Sequence, residues 1–455
     1  MSAGKPICIY EYGTLYEEGA QNTNGLPVLK KETFDNLWNF ILASNTPSGV
    51  EAVLSVHKRG RNRVIRAHKY VGTIQTSDGQ SIEILPKIYR VSGEQESDAA
   101  ICRKVFLTML KHFPNSTAKS FQEAGLSTKA NFPILEVYIS NYIKEVERLI
   151  GTGIKKNYVR VEGNKRFFKG RLLLSKHIQK NVCDETKFYV LSDEYSLDIP
   201  QNRIIVYTLK YLLSISRSAQ NKQDISELLC LLEDIPASQS LDSDFAKAEV
   251  KNKLYRSYES LIEWSKQILS NKGYTSFSGK YVNQSLLFSA EELFESFISH
   301  LFKRFLNNYT VHTQHRAFFL VDNHSGRGLF RLRPDIYLDP NDIVEESIIL
   351  DTKWKNIDGG RVDKNYLIDI KDMYQMYGYG RKYSLHKPSG PDPGLPKLVL
   401  IYPYTDRFTS KLDSFIYEQV ASQIGLKLLV VPFNLVDSTT YEQQVLDIVN
   451  EAKQL

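Results

Sequence analysis

The sequence predicts an α+β chain of several domains: a β-rich front (1–92), a mixed, mostly helical middle carrying a basic β-hairpin (93–275), and an α/β sandwich at the end (276–455). Three observations predict it. The 455 residues exceed one ordinary core and, at roughly 100 to 200 residues per domain, suggest two to four domains. The apolar pattern changes from short alternating runs, to helical spacing, to helices interleaved with strands. Polar or Gly/Ser-rich stretches, VSGEQESDAA (91–100) and NKGYTSFSGK (271–280), fall near those changes.

In the front, ICIYEYGTLY, VEAVLSVHK, NRVIRAHKYVGTIQT and IEILPKIY are strand-like runs separated by turn residues, as expected of a small sheet or barrel. Between them Phe34, Leu37, Trp38 and Ile41 share one face of a helix over 33–43. Ser97-Asp98 would cap a helix beginning at CRKVFLTMLKHF. The middle opens with a helix over 134–150, stopped by Gly151, and then alternates through KKNYVRVEGNKRFFKGRLLL. That stretch sets Lys155, Lys156, Arg160, Lys165, Arg166, Lys169 and Arg171 against one acid, Glu162. Such a hairpin is equally a solvated face or a surface for phosphate or a partner protein. Helices resume at Asp198 and run to about Ser270. The last third reads as a helix (290–306), strands at 310–321, 330–338 and 347–354, a helix (363–379), and strands at 397–402 and 427–432 with a helix after each.

Composition narrows the class. With 42% hydrophobic and 24% charged residues the chain can bury sizeable cores and is not broadly disordered. A net charge of +6 leans towards an acidic partner such as nucleic acid without deciding it. Cys8, Cys102, Cys183 and Cys230 form no Cys-x-x-Cys pair, so neither a zinc knuckle nor a disulfide framework is read, and a cytoplasmic protein is expected. No signal-like leader and no apolar run near the ~18 residues of a membrane span is seen.

The chemistry concentrates in RLRPDIYL and SIILDTKWK, which face each other across Pro340-Asn341-Asp342 as an antiparallel hairpin. Asp335 and Asp351 are symmetric about position 343, inside the turn, so their Cβ atoms would lie roughly 4.5 to 5.5 Å apart. The period of two sets Lys353 beside Asp351, with Thr352 on the other face. Two such carboxylates must share a proton or hold a cation, and hard oxygen ligands suit Mg²⁺, for which Mn²⁺ can substitute. A cation there would polarise a phosphodiester, and Lys353 would position or deprotonate the water and offset phosphate charge. Glu295, on the preceding helix, is the expected third acid in preference to Glu291 and Glu292. On the following helix Asp372, Gln375 and Tyr379 form one polar stripe, which surface solvation would explain as well. Arg331 and Arg333 are candidate DNA-backbone contacts, and His312, His315 and His324 read as polar surface residues rather than a zinc site.

Pro334-Asp335 followed by Asp351-Thr352-Lys353 resembles the Pro-Asp and Asp/Glu-x-Lys signature of restriction-endonuclease-like nucleases. DMYQMYGYG (372–380) is similar to the Gln-x-x-x-Tyr helix of their RecB-like branch. ELFESFI, RPDIYL, DTKWK and DMYQMYGYG in this order, with YVGTIQTSDGQSIEILPKI (70–88) at the front, resemble the McrC family, the nuclease subunit of the McrBC restriction system. The resemblance implies a restriction-endonuclease-like final domain with Asp335, Asp351, Lys353, Glu295 and Gln375 as its catalytic set. It also implies DNA carrying modified cytosine as target, self-association through the nuclease domain, and a hexameric McrB-like AAA+ GTPase as partner. No Gly-x4-Gly-Lys-Ser/Thr loop occurs, so GTP would be handled by that partner and no nucleotide by this chain. Lys165, Arg166, Lys169 and Arg171 are candidates for reaching it, and Tyr379 for touching DNA. Two rival readings stay open: a RecB-like nuclease acting without a GTPase, and a non-catalytic scaffold or GTPase activator.

Overall fold

The computed structural model describes residues 6–20, 25–43, 53–76, 80–87, 95–111, 134–184, 186–248, 253–274, 282–341, 346–385, 395–420 and 423–455. The front supplies β1 (Ile7–Tyr10), β2 (Thr14–Glu17), β3 (Val28–Leu29), α1 (Lys31–Ala43), β4 (Leu54–Arg59), β5 (Asn62–Ala67), β6 (Tyr70–Thr76), β7 (Ser81–Leu85) and α2 (Gln95–Lys111). Next come α3 (Ile134–Thr152), β8 (Asn157–Lys165), β9 (Arg171–Leu172), α4 (Leu174–Lys180), β10 (Phe188–Ser196), α5 (Pro200–Ile215), α6 (Ala219–Leu231), α7 (Leu241–Ala248) and α8 (Glu259–Tyr274). The remainder holds β11 (Val282–Ser289), α9 (Ala290–Phe305), β12 (Tyr309–Thr313), β13 (Phe319–His324), β14 (Arg327–Arg331), β15 (Ile336–Pro340) and β16 (Ile348–Thr352). It closes with α10 (Ile370–Ser384), β17 (Lys397–Pro403), β18 (Phe415–Ile416), β19 (Gln419–Val420), β20 (Gln423–Ile424), β21 (Lys427–Phe433) and α11 (Tyr441–Lys453).

The described residues form two compact units, one drawn from 115–286, the other from 4–114 together with 287–455. The mixed α+β class expected from the sequence is what is seen, while the front and the end, expected as separate domains, fall in one unit. The larger unit is built on a six-stranded sheet in the order β12-β15-β16-β17-β21-β18. β12, β15 and β16 pair antiparallel; β16, β17 and β21 pair parallel. Every residue of β16 is buried, as is all of β17 after Lys397, the mark of central strands covered on both faces. α9 and α11 cover one face, where Phe297 meets Phe433 and Tyr441 edge-on. α9 starts cleanly because the Ser289 side chain accepts from Glu292 N, and acids in its first turn and bases in its last suit the helix dipole. On the other face Met376, Tyr379 and Tyr383 of α10 pack on Leu398, Leu400 and Leu428, each fully buried apolar side chain stabilising by roughly 1.5–3 kcal/mol. Gly380 permits that approach: a Cβ there would lie 2.8 Å from Leu426. The front contributes two four-stranded sheets, β1-β7-β6-β11 and β3-β2-β5-β4, where one sheet or barrel was expected; β11 comes from far along the chain.

The smaller unit has α5 at its centre, packed by α6, α7 and α8, with Arg203 gripping Asp244 at 2.8 Å and Asp198 at 2.9 Å. Its three-stranded sheet runs β8-β10-β9. The expected basic hairpin within 155–171 is therefore corrected: β8 pairs along its whole length with β10, and β9 takes the opposite edge of β10. Gly170, at φ 83°, makes the crossing possible, since a Cβ there would meet the Leu191 carbonyl oxygen at 2.3 Å. β10 also answers the basic run with acids: Arg160 lies 3.6 Å from Asp193, and Lys165 pairs with Glu194.

Other expectations shift for local reasons. The strands read at 310–321 and 330–338 are each broken, the first where Gln314 takes a φ of 49° and the second at 332–335, where Pro334 has no N–H for a ladder. The freed inner halves pair as a separate two-stranded ribbon, β13–β14. The helix expected from 363 begins only at Ile370, capped by Asp369, since Asn365, Tyr366 and Leu367 all have positive φ. No helix lies between β17 and β21 among the described residues; Phe408 and Leu412 cover the core from an irregular segment. α2 begins at Gln95, so Ser97 and Asp98 lie inside it rather than at its cap. The second expected linker, 271–280, is described only as far as Tyr274, where α8 ends.

Candidate active site

The β15–β16 register is Ile336↔Leu350, Tyr337↔Ile349 and Leu338↔Ile348. Extended by one residue it sets Asp335, at the bend before β15, against Asp351, as the hairpin symmetry requires. Asp335 Oδ2 accepts from both Thr352 N and Thr352 Oγ1, each at 2.7 Å. Thr352 was expected to face away; because β15 begins only at Ile336, the Asp335 carboxylate stands where a ladder partner would and meets both the amide and the hydroxyl of Thr352. This residue was missed. Its signal was available in the type of residue between the two charges, a short hydroxyl donor beside a carboxylate.

Asp351 is 1% exposed. Lys353 Nζ lies 2.5 Å from its Oδ2, while Oδ1 has no hydrogen-bond donor. Lys353 N donates to Ile401 O at 2.9 Å, so pairing to β17 continues past the end of β16 and fixes the lysine backbone. Its ammonium also donates to Gln375 Oε1 at 2.9 Å and stands 3.9 Å from Asp372 Oδ1. Gln375 Nε2 donates to Tyr379 OH at 2.7 Å, and that hydroxyl donates to Arg333 O at 3.0 Å. One turn earlier, Asp372 is buried between Lys355 Nζ, at 2.9 Å, and the Tyr402 hydroxyl, at 3.1 Å. The stripe of Asp372, Gln375 and Tyr379 thus faces the lysine and not solvent.

Glu295 arrives from α9, accepting from Gln314 Nε2 at 2.6 Å; Gln314 in turn accepts from Arg333. Glu291 and Glu292 are exposed. Arg331 stacks its guanidinium 4.9 Å from the Phe319 ring centre. Lys165, Arg166, Lys169 and Arg171 belong to the smaller unit. His315 sits in an aromatic stack, 4.9 Å from the Tyr337 ring centre with Nδ1 2.8 Å from the Tyr383 hydroxyl, and burial lowers its pKa.

Burial dominates the electrostatics. It pushes Asp351 up to about 7, aided by the charge of Asp335 and opposed by Lys353. Glu295 is likewise pushed up to about 7 by burial and Asp335. Asp335 is raised by burial against the pull of its two Thr352 bonds. Burial also works against the Lys353 charge, but Asp351, Asp372 and Asp335 outweigh it and hold its pKa above that of an ordinary lysine. Against the three acids stand the Lys353 ammonium beside Asp351 and the charge of Arg333 acting on Asp335 and Glu295. A buried carboxylate oxygen without a donor is costly unless something cationic approaches it. Asp335 and Asp351 fit a hard divalent cation in donor type. Among the described residues no three His, Cys, Asp or Glu converge closely enough to enclose an ion, so water and substrate oxygens would complete its shell.

A mixed sheet flanked by helices, with two opposed aspartates and a lysine at the ends of its strands, defines an α+β protein whose candidate site combines carboxylates and an ammonium. The profile of the family described as McrBC 5-methylcytosine restriction system component matches residues 65–403, and the chain belongs to that family. The family resemblance carried by the sequence motifs is thereby borne out.

Among solved structures, the chain is similar to one in the refined half-complex from the tetradecameric assembly of Thermococcus gammatolerans McrB AAA+ hexamers with bound McrC. The TM-score is 0.63 at 17% identity, over 98% of this chain and 99% of that one. A chain of the cryo-EM structure of the Thermococcus gammatolerans McrBC complex matches at a TM-score of 0.47 and 20% identity, over 67% of this chain and 89% of that one. No curated protein matches significantly. No described helix is long and apolar enough to cross a membrane.

Proposed function

We propose that this chain is the McrC-like, DNA-cutting subunit of a GTP-dependent, modification-directed restriction complex, and that its larger unit carries a restriction-endonuclease-like domain hydrolysing phosphodiesters with Mg²⁺. The observation that carries the reading is Asp351, a carboxylate buried opposite Asp335 with one oxygen unpartnered and a lysine 2.5 Å from the other. Asp335 and Asp351 would hold the ion, which when bound supplies Lewis-acid polarisation of the phosphate and a more acidic water.

The protein's own groups do the rest. Thr352 fixes one oxygen of Asp335 and leaves the remainder of that carboxylate for coordination. Gln375, itself fixed through Tyr379 to the Arg333 carbonyl, sets the direction of Lys353 Nζ. With its pKa raised, Lys353 works as an ammonium, donating to the attacking water or to a phosphate oxygen on which charge grows, rather than as a base. Glu295 titrates near neutrality and can take up a proton at its carboxylate.

The family and the absence of a P-loop support a GTPase partner in trans, McrB-like and hexameric. The stretch carrying Lys165, Arg166, Lys169 and Arg171 is proposed as its contact, since Phe167 (82% exposed) and Phe168 (61% exposed) offer apolar anchors among the charges. The test is Mg²⁺-dependent cleavage of methylated plasmid by the chain plus its GTPase partner and GTP, wild type against Asp351→Ala. Loss of cleavage with partner binding intact supports the reading. Equal cleavage by the mutant removes this site, and stimulated GTP turnover without any cleavage points to a scaffold.

A further inference from the structure

The β13–β14 ribbon stands off the six-stranded sheet, and most of its residues are exposed on both faces. Two things anchor it to α10: Lys382 pairs with Asp322 at 2.5 Å, and Leu320 Cδ1 lies 3.9 Å from the position a Gly378 Cβ would take. Its base is closed by Leu332 N donating to Phe318 O at 2.9 Å. Within it the Phe319 ring is held between the Arg331 guanidinium, at 4.9 Å, and Gly328, where a Cβ would come within 2.6 Å of the ring. The ribbon is thus a built element, fixed at the foot.

Phe330 is out of keeping with that order. It falls between Leu329 and Arg331, residues paired with Val321 and Phe319, yet takes φ 56° and is 70% exposed. A left-handed backbone is costly for a bulky aromatic residue, and no ring, ionic or hydrogen-bond contact of its side chain compensates among the described residues. An aromatic side chain kept in water by a strained backbone is what a stacking platform needs. The surroundings choose the partner. Arg316, Arg327, Arg331 and Arg333 lie on or beside the ribbon, against Asp322, which Lys382 already neutralises. Cations interleaved with one exposed ring match phosphates interleaved with bases. Phe330 also lies five residues before Asp335, at most about 17 Å along the chain, so the ribbon's partner would be the substrate itself.

We propose that the β13–β14 ribbon grips DNA next to the cut, with the Phe330 ring stacked on a base and Arg327 and Arg331 on flanking phosphates. The proposal rests on the DNA-cutting reading and adds how the strand is held. It is tested by fluorescence anisotropy of a fluorescein-labelled DNA duplex with an unpaired single-stranded overhang, titrated with the full chain in EDTA. Phe330→Ala weakens binding roughly tenfold without altering its salt dependence, and Phe330→Trp restores it. Phe330→Asn, which tolerates a left-handed backbone, behaves as Phe330→Ala and safeguards against misfolding. Arg331→Ala instead flattens the salt dependence by about one counterion. Binding by Phe330→Ala and Phe330→Asn as tight as wild type overturns the proposal, as does failure of the wild-type chain to bind at low salt. Asp351→Asn separates the two readings: it should bind normally and not cut. If it cuts while Phe330→Ala fails to bind, the catalytic assignment falls and the ribbon contact stands.

Discussion

The amide and the hydroxyl of Thr352 both donate to one oxygen of Asp335, so a strand end on one side of the hairpin orients an acid on the other. Thr352→Val keeps the shape and the amide bond but removes the hydroxyl. A hydrogen bond to a charged group is worth roughly 1.5–3 kcal/mol, so the Mg²⁺ concentration for half-maximal cleavage should rise by about ten- to a hundredfold. A metal titration of the cleavage rate measures this, and an unchanged midpoint would remove Thr352 from the site.

Asp351 and Glu295 both titrate near 7, well above ordinary carboxylates, because of burial and the charge of Asp335. In the metal-free protein the folded state therefore holds more protons than the unfolded chain between pH of about 4 and 7. Their stabilising contribution is complete below about pH 4 and is lost as pH rises through 7. Asp351→Asn should raise the thermal midpoint more at about pH 8 than at about pH 5, while abolishing cleavage. Calorimetry at the two pH values decides it; a larger gain at the lower pH would contradict the burial argument.

The same shifts couple metal to protons. Mg²⁺ should bind more weakly as pH falls below about 7, release protons on binding, and raise the thermal midpoint with concentration; EDTA should stop cleavage. Isothermal titration in buffers of different ionisation enthalpy counts the protons, and a count of zero near neutrality would argue against these acids as ligands.

Much of this site was legible because it is local in sequence. The symmetry of Asp335 and Asp351 about the turn needs only a hairpin, and the register Ile336↔Leu350 obeys it. The choice of Glu295 needed only helical spacing, which buries Leu293, Phe294 and Phe297 and leaves Glu291 and Glu292 in water. Pairings between distant segments left no such trace. Nothing near Lys165 tells that β10 will slip between β8 and β9, and nothing near Tyr70 that β6 will pair with β11. Gln314 hid the ribbon for a different reason: its side chain fits a strand pattern while its backbone leaves it.

Lys353 is directed by Gln375, and Gln375 by Tyr379. Gln375→Leu should lower kcat by about tenfold with little change in KM, since it affects the direction of an ammonium and not substrate binding. Tyr379→Phe, one bond further out, should cost less. Single-turnover kinetics tests the order, and a larger effect at Tyr379 would reverse the proposed chain of support.

Glu11, on the turn after β1, is buried and accepts from Trp354 Nε1 at 2.9 Å and Lys87 N at 3.2 Å, linking the front sheets to the residue after Lys353. Burial pushes Glu11 up to about 7, against the bonds from Trp354 and Lys87. Trp354→Phe removes the indole donor and should destabilise by about 1–3 kcal/mol, more at pH above 7, where the carboxylate is charged. Thermal unfolding across pH measures it; a loss independent of pH would mean that packing, and not the hydrogen bond, joins the two.

The larger unit takes its strands from both sides of the smaller one, so its parts are made at different times. On the ribosome, β6 emerges some two hundred residues before β11, the strand it pairs with, and Asp335 and Asp351 emerge before β17 and β21 can sheathe them. Contacts this distant in sequence form late and slowly. The smaller unit, continuous in sequence, is free to fold while the other waits. A nascent chain would thus complete its smaller unit while the sheet that carries Asp335 and Asp351 still lacked the strands that cover them.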